Sequence, residues 1–235
     1  MKPLASIKET ERIATNSSID EIIGGGIEKG SITQIYGPPG SGKTNIALKL
    51  SVGVAKTGQK VIYIDTEGGL SIDRIKQIAK RDIEAVANNI YVYEPHSFNQ
   101  QEDDLNSVIT WLKNNGGEDI DLIVLDSAVA LYRLNENKAS ILNKIMGKQM
   151  GLLSKIARKY NIAILITNQI YSNFDDEGIN KVTPVGGTIL KYWSKVIIEL
   201  QKSDVPSERI ATLQRHRHIA EGLITKFKIT SDGIK

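Results

Sequence analysis

Short apolar, β-branched runs alternate along the chain with longer stretches whose apolar positions recur every three or four residues. The runs at 31–36, 60–65, 89–93, 121–126 and 162–167 predict buried strands. Between them, 43–56, 71–80, 101–114 and 138–160 predict helices. In the last of these, Leu142, Ile145, Met146, Met150, Leu153, Ile156 and Ala157 fall on one stripe. Strands flanked by helices in this order predict an α/β fold, a mostly parallel twisted sheet covered on both faces. From residue 195 the pattern changes. The runs 195–201, 208–214 and 223–229 are strand-like with turns between them, predicting an antiparallel C-terminal extension of the sheet. Segment 171–187 is polar and long, and a loop of that length in a compact domain is usually functional.

The junction between the first strand and the first helix carries chemistry. Gly37-Pro38-Pro39-Gly40-Ser41-Gly42-Lys43-Thr44 matches G-x-x-x-x-G-K-[ST] at every specified position, after a strand and before a helix. The glycines let successive N–H groups converge on an anion, and the helix N-terminus adds free N–H groups and partial positive charge. Such a loop binds a nucleoside triphosphate, with Lys43 on the β- and γ-phosphates and the Thr44 hydroxyl on Mg²⁺. Asp126 closes an apolar strand, the place of a carboxylate that holds Mg²⁺ directly or through water. Glu67 and Asp65 both lie where the strand 60–65 opens into the ligand crevice. Either could orient and deprotonate an attacking water, and spacing does not choose between them. Gln169 sits where the strand 162–167 gives way to the long segment. Read alone, it is an ordinary polar strand end.

Composition narrows the setting. The chain has 235 residues, 40% of them hydrophobic, enough for one large α/β domain. A net charge of +3 means that a nucleic-acid surface must be local rather than global. There is no cysteine, which excludes disulfides, thiolate metal sites and cysteine nucleophiles. The first 18 residues lack the apolar core of a signal peptide, and no apolar run approaches the roughly 18 residues of a spanning helix. The expectation is a cytoplasmic, nucleoid-associated protein with no membrane contact.

Taken together, these motifs resemble the RecA/RadA recombinase ATPases over nearly the whole chain. Residues 18–30, Ser-Ile-Asp-Glu-Ile-Ile-Gly-Gly-Gly-Ile-Glu-Lys-Gly, are similar to the segment before the phosphate loop in that family. Ile64-Asp65-Thr66-Glu67-Gly68 resembles the catalytic-glutamate strand, and the stretch from Tyr160 to Gln169 the switch strand. Pro184-Val185-Gly186-Gly187 resembles the exit from the second DNA-binding loop. The resemblance implies a RecA-like core at 17–235 behind an N-terminal segment, 1–16. It implies ATP and Mg²⁺ as ligands, held by residues 37–44 and Asn45, with Arg74 near the adenine. It also implies Glu67 and Lys43 in catalysis and Gln169 as the γ-phosphate sensor. The Asp126–Ser127 peptide is cis in some of the proteins it resembles. The nearest likeness is to short archaeal paralogues of RadA without the helix-hairpin-helix domain. No Phe-x-x-Ala docking peptide precedes the core. The expected role is accessory: DNA repair and recombination, weak ATPase activity, and a RadA-like recombinase or other repair proteins as partners, with room for a homo-oligomer. Two other readings share the same loop. One is a nucleotide-switched mediator with little hydrolysis. The other is a KaiC-like signalling ATPase.

Two regions compete for DNA, with single strands the preferred form. The first is Arg133 with the segment 171–187, which carries Lys181 and the stacking candidates Tyr171 and Phe174, but also Asp175, Asp176 and Glu177. The second is Arg215-His216-Arg217-His218, with Arg209 nearby, the densest basic cluster in the chain. Charged histidines there would strengthen binding below about pH 6.5. A metal reading of the two histidines lacks an evident third ligand. Trp111 and Trp193 are expected in the core.

Overall fold

The structure is a computed structural model that describes every residue except 1, 2, 7, 8, 135–137, 175–179, 185 and 186; the side chains of Leu4 and of 171–186 are also outside the description. The strands are β1 (Arg12–Ile13), β2 (Ile27–Glu28), β3 (Ile32–Gly37), β4 (Lys60–Asp65), β5 (Ile90–Tyr93), β6 (Ile120–Asp126), β7 (Ala163–Phe174), β8 (Asn180–Pro184), β9 (Val196–Lys202), β10 (Glu208–Arg215), β11 (Ile224–Thr230) and β12 (Gly233–Ile234). The helices are α1 (Ile19–Ile22), α2 (Lys43–Lys56), α3 (Ile72–Ala79), α4 (Ile83–Asn89), α5 (Phe98–Asn115), α6 (Ala130–Arg133), α7 (Ala139–Tyr160) and α8 (Gly187–Trp193).

The main sheet runs β12-β11-β10-β9-β3-β7-β6-β4-β5. From β9 to β5 all pairings are parallel. From β9 to β12 they are antiparallel. This is the expected α/β architecture, a mostly parallel sheet with an antiparallel C-terminal extension. Period-two alternation explains why the parallel strands read as continuous apolar runs. On β6, Leu122 and Val124 enter one core with Val61 and Tyr63 of β4. Ile123 and Leu125 enter the opposite core with Ile62 and Ile64. Both faces are buried, so successive positions in the middle of these strands are apolar. The first core is closed by α2, α3 and α4 through Ile46, Leu50, Ile75, Ile78 and Val86. The second is closed by α5 and α7 through Leu105, Leu112, Met146 and Leu153. Trp111 and Trp193 pack against this second core, as expected.

Local chemistry sets the helix ends. The Ser71 and Ser97 hydroxyls accept from the N–H groups of Arg74 and Gln100, capping α3 and α5. Asn161 ends α7 in the left-handed region at φ 53°. Within the expected 1–16 segment, Arg12 and Ile13 pair antiparallel with Glu28 and Ile27. The segment 171–187 is not a plain loop. The sheet strand β7 runs on to Phe174 and pairs antiparallel with β8, from Ile170↔Pro184 to Phe174↔Asn180. The polar composition of this stretch hid the strand, because it carries no apolar run for a strand to be read from.

Candidate nucleotide site

Parallel strands end on the same side of a sheet, and their C-termini bring the candidate residues together. Gly37, the first residue of the phosphate loop, is the register partner of Gln169 across β3 and β7. Asp65 and Asp126 are partners across β4 and β6. The loop then turns into α2 through Gly40 at φ +74° and Gly42 at φ +102°. Gly37 is demanded by packing: a Cβ there would lie 2.4 Å from the Leu200 carbonyl oxygen of β9. The Ser41 hydroxyl is buried without a hydrogen-bond partner.

Lys43 folds back over its own loop and donates to the carbonyls of Gly37 and Pro38, at 2.9 and 3.0 Å. Burial lowers its pKa, and the Asp126 and Glu67 carboxylates oppose that shift. Asp126 is buried at the end of β6. It accepts from the Tyr63 hydroxyl at 2.7 Å and from the Thr167 hydroxyl. Burial raises its pKa, while the hydrogen bonds from Thr167, Tyr63 and Thr44 pull it down. The peptide that follows, Asp126–Ser127, is cis. A Thr44 hydroxyl beside a buried carboxylate is an oxygen donor set that fits Mg²⁺, and the loop with its lysine fits a triphosphate.

The structure separates Glu67 from Asp65. The Asp65 carboxylate is spent on its own turn, accepting from the N–H groups of Glu67, Gly69 and Leu70 at 3.2, 3.1 and 2.8 Å. Glu67 instead accepts from the Ser127 hydroxyl at 2.5 Å and from the Gln169 amide at 2.8 and 2.9 Å. The Gln169 carbonyl oxygen in turn accepts from Arg133 at 2.6 Å. A polar chain Ser127–Glu67–Gln169–Arg133 thus crosses the ends of β4 and β6 and the middle of β7. It borders an open cleft of about 790 Å³ lined by Glu67, His96, Leu131, Arg133 and Gln169 among others. Ser127, Thr167 and Tyr63 escaped the sequence reading. None of the three was given a role at the site, although each lies near a residue that was.

Arg74 holds the Asn45 side-chain oxygen at 2.9 Å and the carbonyls of Thr230, Ser231 and Gly233 at 2.7, 3.3 and 3.3 Å. Arg209 does not join the 215–218 cluster. Its Nε donates to the Gly40 carbonyl at 3.0 Å, beside the phosphate loop. Six residues of extended strand separate it from Arg215, roughly 20 Å at ~3.3 Å per residue. His216 is a second correction. Its side chain is wholly inaccessible and faces Glu28, so it cannot touch a nucleic acid directly. Burial, its main influence, lowers its pKa, contrary to a charge gained near pH 6.5. Arg215 donates to the Lys191 carbonyl at 2.5 Å, and the half-exposed Arg217 lies 3.6 Å from Glu28. His218 is exposed. The side chains of Lys181, Tyr171 and Phe174, the acidic residues 175–177, and Val185-Gly186 lie outside the described residues.

The sheet order and the loop between β3 and α2 define an α/β phosphate-loop protein with a C-terminal antiparallel extension. The chain belongs to the Rad51 family, whose profile matches residues 7–235, in agreement with the expected RecA/RadA kinship. It is 56% identical over 234 residues to the DNA repair and recombination protein RadB of Methanobrevibacter smithii, covering 100% of each chain. The identity to the protein of that name from Methanothermobacter thermautotrophicus is 52% over 234 residues, again with 100% of each chain covered. A crystal structure of the RadB recombinase superposes with a TM-score of 0.80 at 35% identity, over 94% of this chain and 98% of that one. Among the described residues, no helix is long and apolar enough to cross a membrane.

Proposed function

We propose that this chain is a nucleotide-switched, DNA-binding accessory protein of recombinational repair, with weak Mg²⁺-dependent ATPase activity. The observation that carries the reading is the position of Gln169. It is the register partner of the first phosphate-loop residue, it donates to Glu67, and it lies on the strand that continues into the β7–β8 hairpin. A residue so placed couples the occupancy of the loop to the hairpin. The names of the relatives, DNA repair and recombination protein, support the cellular role.

In this reading the N–H groups of residues 40–45 cradle the phosphates, and Lys43 leaves the carbonyls of Gly37 and Pro38 to meet them. Thr44 and Asp126 hold Mg²⁺, which neutralises phosphate charge when bound. Glu67 orients a water and takes its proton. Ser127 and Gln169 aim the Glu67 carboxylate, and Arg133 holds Gln169 from the cleft side. DNA contacts come from Arg133, the β8 residue Lys181, Arg215, Arg217 and His218. A RadA-like recombinase is the protein partner the kinship suggests.

Binding of a labelled single strand, with and without Mg²⁺-ATP across a salt series, tests the proposal. Affinity should rise with nucleotide and fall as salt increases. Absence of binding at low salt would overturn the DNA part.

A second reading, a mediator that uses ATP as a conformational ligand, draws on the tethering of Glu67 by Ser127 and Gln169. It predicts that repair function survives Glu67→Gln but not Lys43→Ala.

A further inference from the structure

The segment after β10 places two imidazoles where a third ligand was not evident from sequence. His216 and His218 lie in the bend that follows β10, and their rings meet edge to face with centroids 4.5 Å apart. The third group is Glu28, on β2, nearly 190 positions away in the chain. Its side chain is 1% exposed, and that of His216 is 0% exposed. His216 Nε2 and Glu28 Oε1 are 3.9 Å apart. Neither His216 Nε2 nor Glu28 Oε2 has a hydrogen-bond partner. Buried polar atoms of native proteins rarely stay in that state. One ligand atom from each of the three residues fits within a 4.8 Å span.

We propose that Glu28, His216 and His218 form a binding site for a zinc-class divalent cation. Bonds of roughly 2.0–2.2 Å put tetrahedral ligand atoms about 3.4 Å apart, so the cluster must contract by ~1 Å or a little more. The exposed His218 side chain is free to make that move. Ligation through His216 Nε2 puts the imidazole proton on Nδ1, which ends the 3.4 Å contact it accepts from the His218 N–H. Two imidazoles and one carboxylate suit Zn²⁺, Co²⁺ or Ni²⁺ and disfavour Mg²⁺, which demands oxygen ligands.

The charges set the affinity and the consequence. Arg12 lies 3.4 Å from Glu28 Oε1, and Arg217 lies 3.6 Å from Oε2. Both arginines balance the carboxylate that the cation would take, so the cation competes with them for Glu28. Occupancy therefore releases Arg217 toward solvent, where a DNA phosphate could take it. The site lies at the end of the sheet opposite the phosphate loop. Arg215 pairs with Ile197 near the start of β9, whereas Lys202 at its end flanks Gly40. The two metal sites would thus be independent.

Calorimetric titration of the full, chelator-treated chain with ZnCl₂ tests this. The expectation is one Zn²⁺ per chain, undisturbed by millimolar Mg²⁺ and weakened about tenfold or more by His218→Ala. His218 is exposed, so its loss leaves the fold intact even if Glu28→Gln does not. His96→Ala, which removes the one other histidine, should leave binding unchanged. No Zn²⁺ binding by the natural chain, equal binding by His218→Ala, or loss of binding in His96→Ala would each overturn the proposal.

Discussion

Replacing Arg74 by alanine separates two roles for this residue. Its guanidinium joins the helix after the Glu67 turn to Asn45 on the phosphate-loop helix and to the last turn of the chain. The bonds to Asn45 and to the Thr230 carbonyl are short, 2.9 and 2.7 Å, and half-buried. Those to Gln77 and Ser231 are exposed, and water replaces them at little cost. The part-buried bond to the Gly233 carbonyl is longer, 3.3 Å, and counts for less. A hydrogen bond to a charged group is worth about 1.5–3 kcal/mol, so the two short sheltered bonds set a loss of about 3 kcal/mol. At ~2–4 °C per kcal/mol for a chain of this size, the melting temperature should fall by roughly 6–12 °C. Urea unfolding and thermal melts without nucleotide are the assays. If Arg74→Ala unfolds within about 0.5 kcal/mol of the natural chain while ATP affinity drops, the clamp is dispensable. Arg74 would then act on the nucleotide alone.

Glu67→Gln should lower phosphate release by roughly 10²–10⁴-fold while leaving ATP binding intact, and a smaller loss would remove Glu67 from proton transfer. Phe227→Ala should cost about 3–5 kcal/mol in urea unfolding. Its ring is 3.5 Å from where a Cβ on Gly42 would sit, so nucleotide affinity should fall with it; unchanged affinity would uncouple β11 from the loop. Gly26→Ala should destabilise the chain by roughly 2 kcal/mol or more and detach β1 from β2. Its φ is +140°, and the new methyl would stand 2.3 Å from the Ile13 carbonyl oxygen. Near-natural stability in that variant would refute the packing argument.

What could be read from sequence followed physical scale. The boundaries of α2 and β4 were legible because burial on both faces leaves unbroken apolar runs and stripes. Helix α4 was not: it spans seven residues and buries only Val86, too little for a periodic signal. The phosphate loop was complete in one stretch. Spacing alone did not choose Glu67 over Asp65, although the family resemblance did, because the choice depends on which carboxylate the turn's N–H groups capture. Arg209 looked close to Arg215 along the chain, but an extended strand turns six positions into distance. Glu28 carried no signal, since the strands that bring it to His216 come from opposite ends of the chain.

The continuity of β7 has a mechanical consequence. From Gln169 to Phe174 the chain is a single rod about 17 Å long, at ~3.3 Å per residue, without a joint at its base. A tilt of about 6° at Gln169 would sweep the far end by roughly 1.7 Å over that length. An irregular loop would dissipate such a tilt in its own torsions. Here the response to a phosphate would grow with distance from it, making the hairpin the amplifier and the sheet its mount.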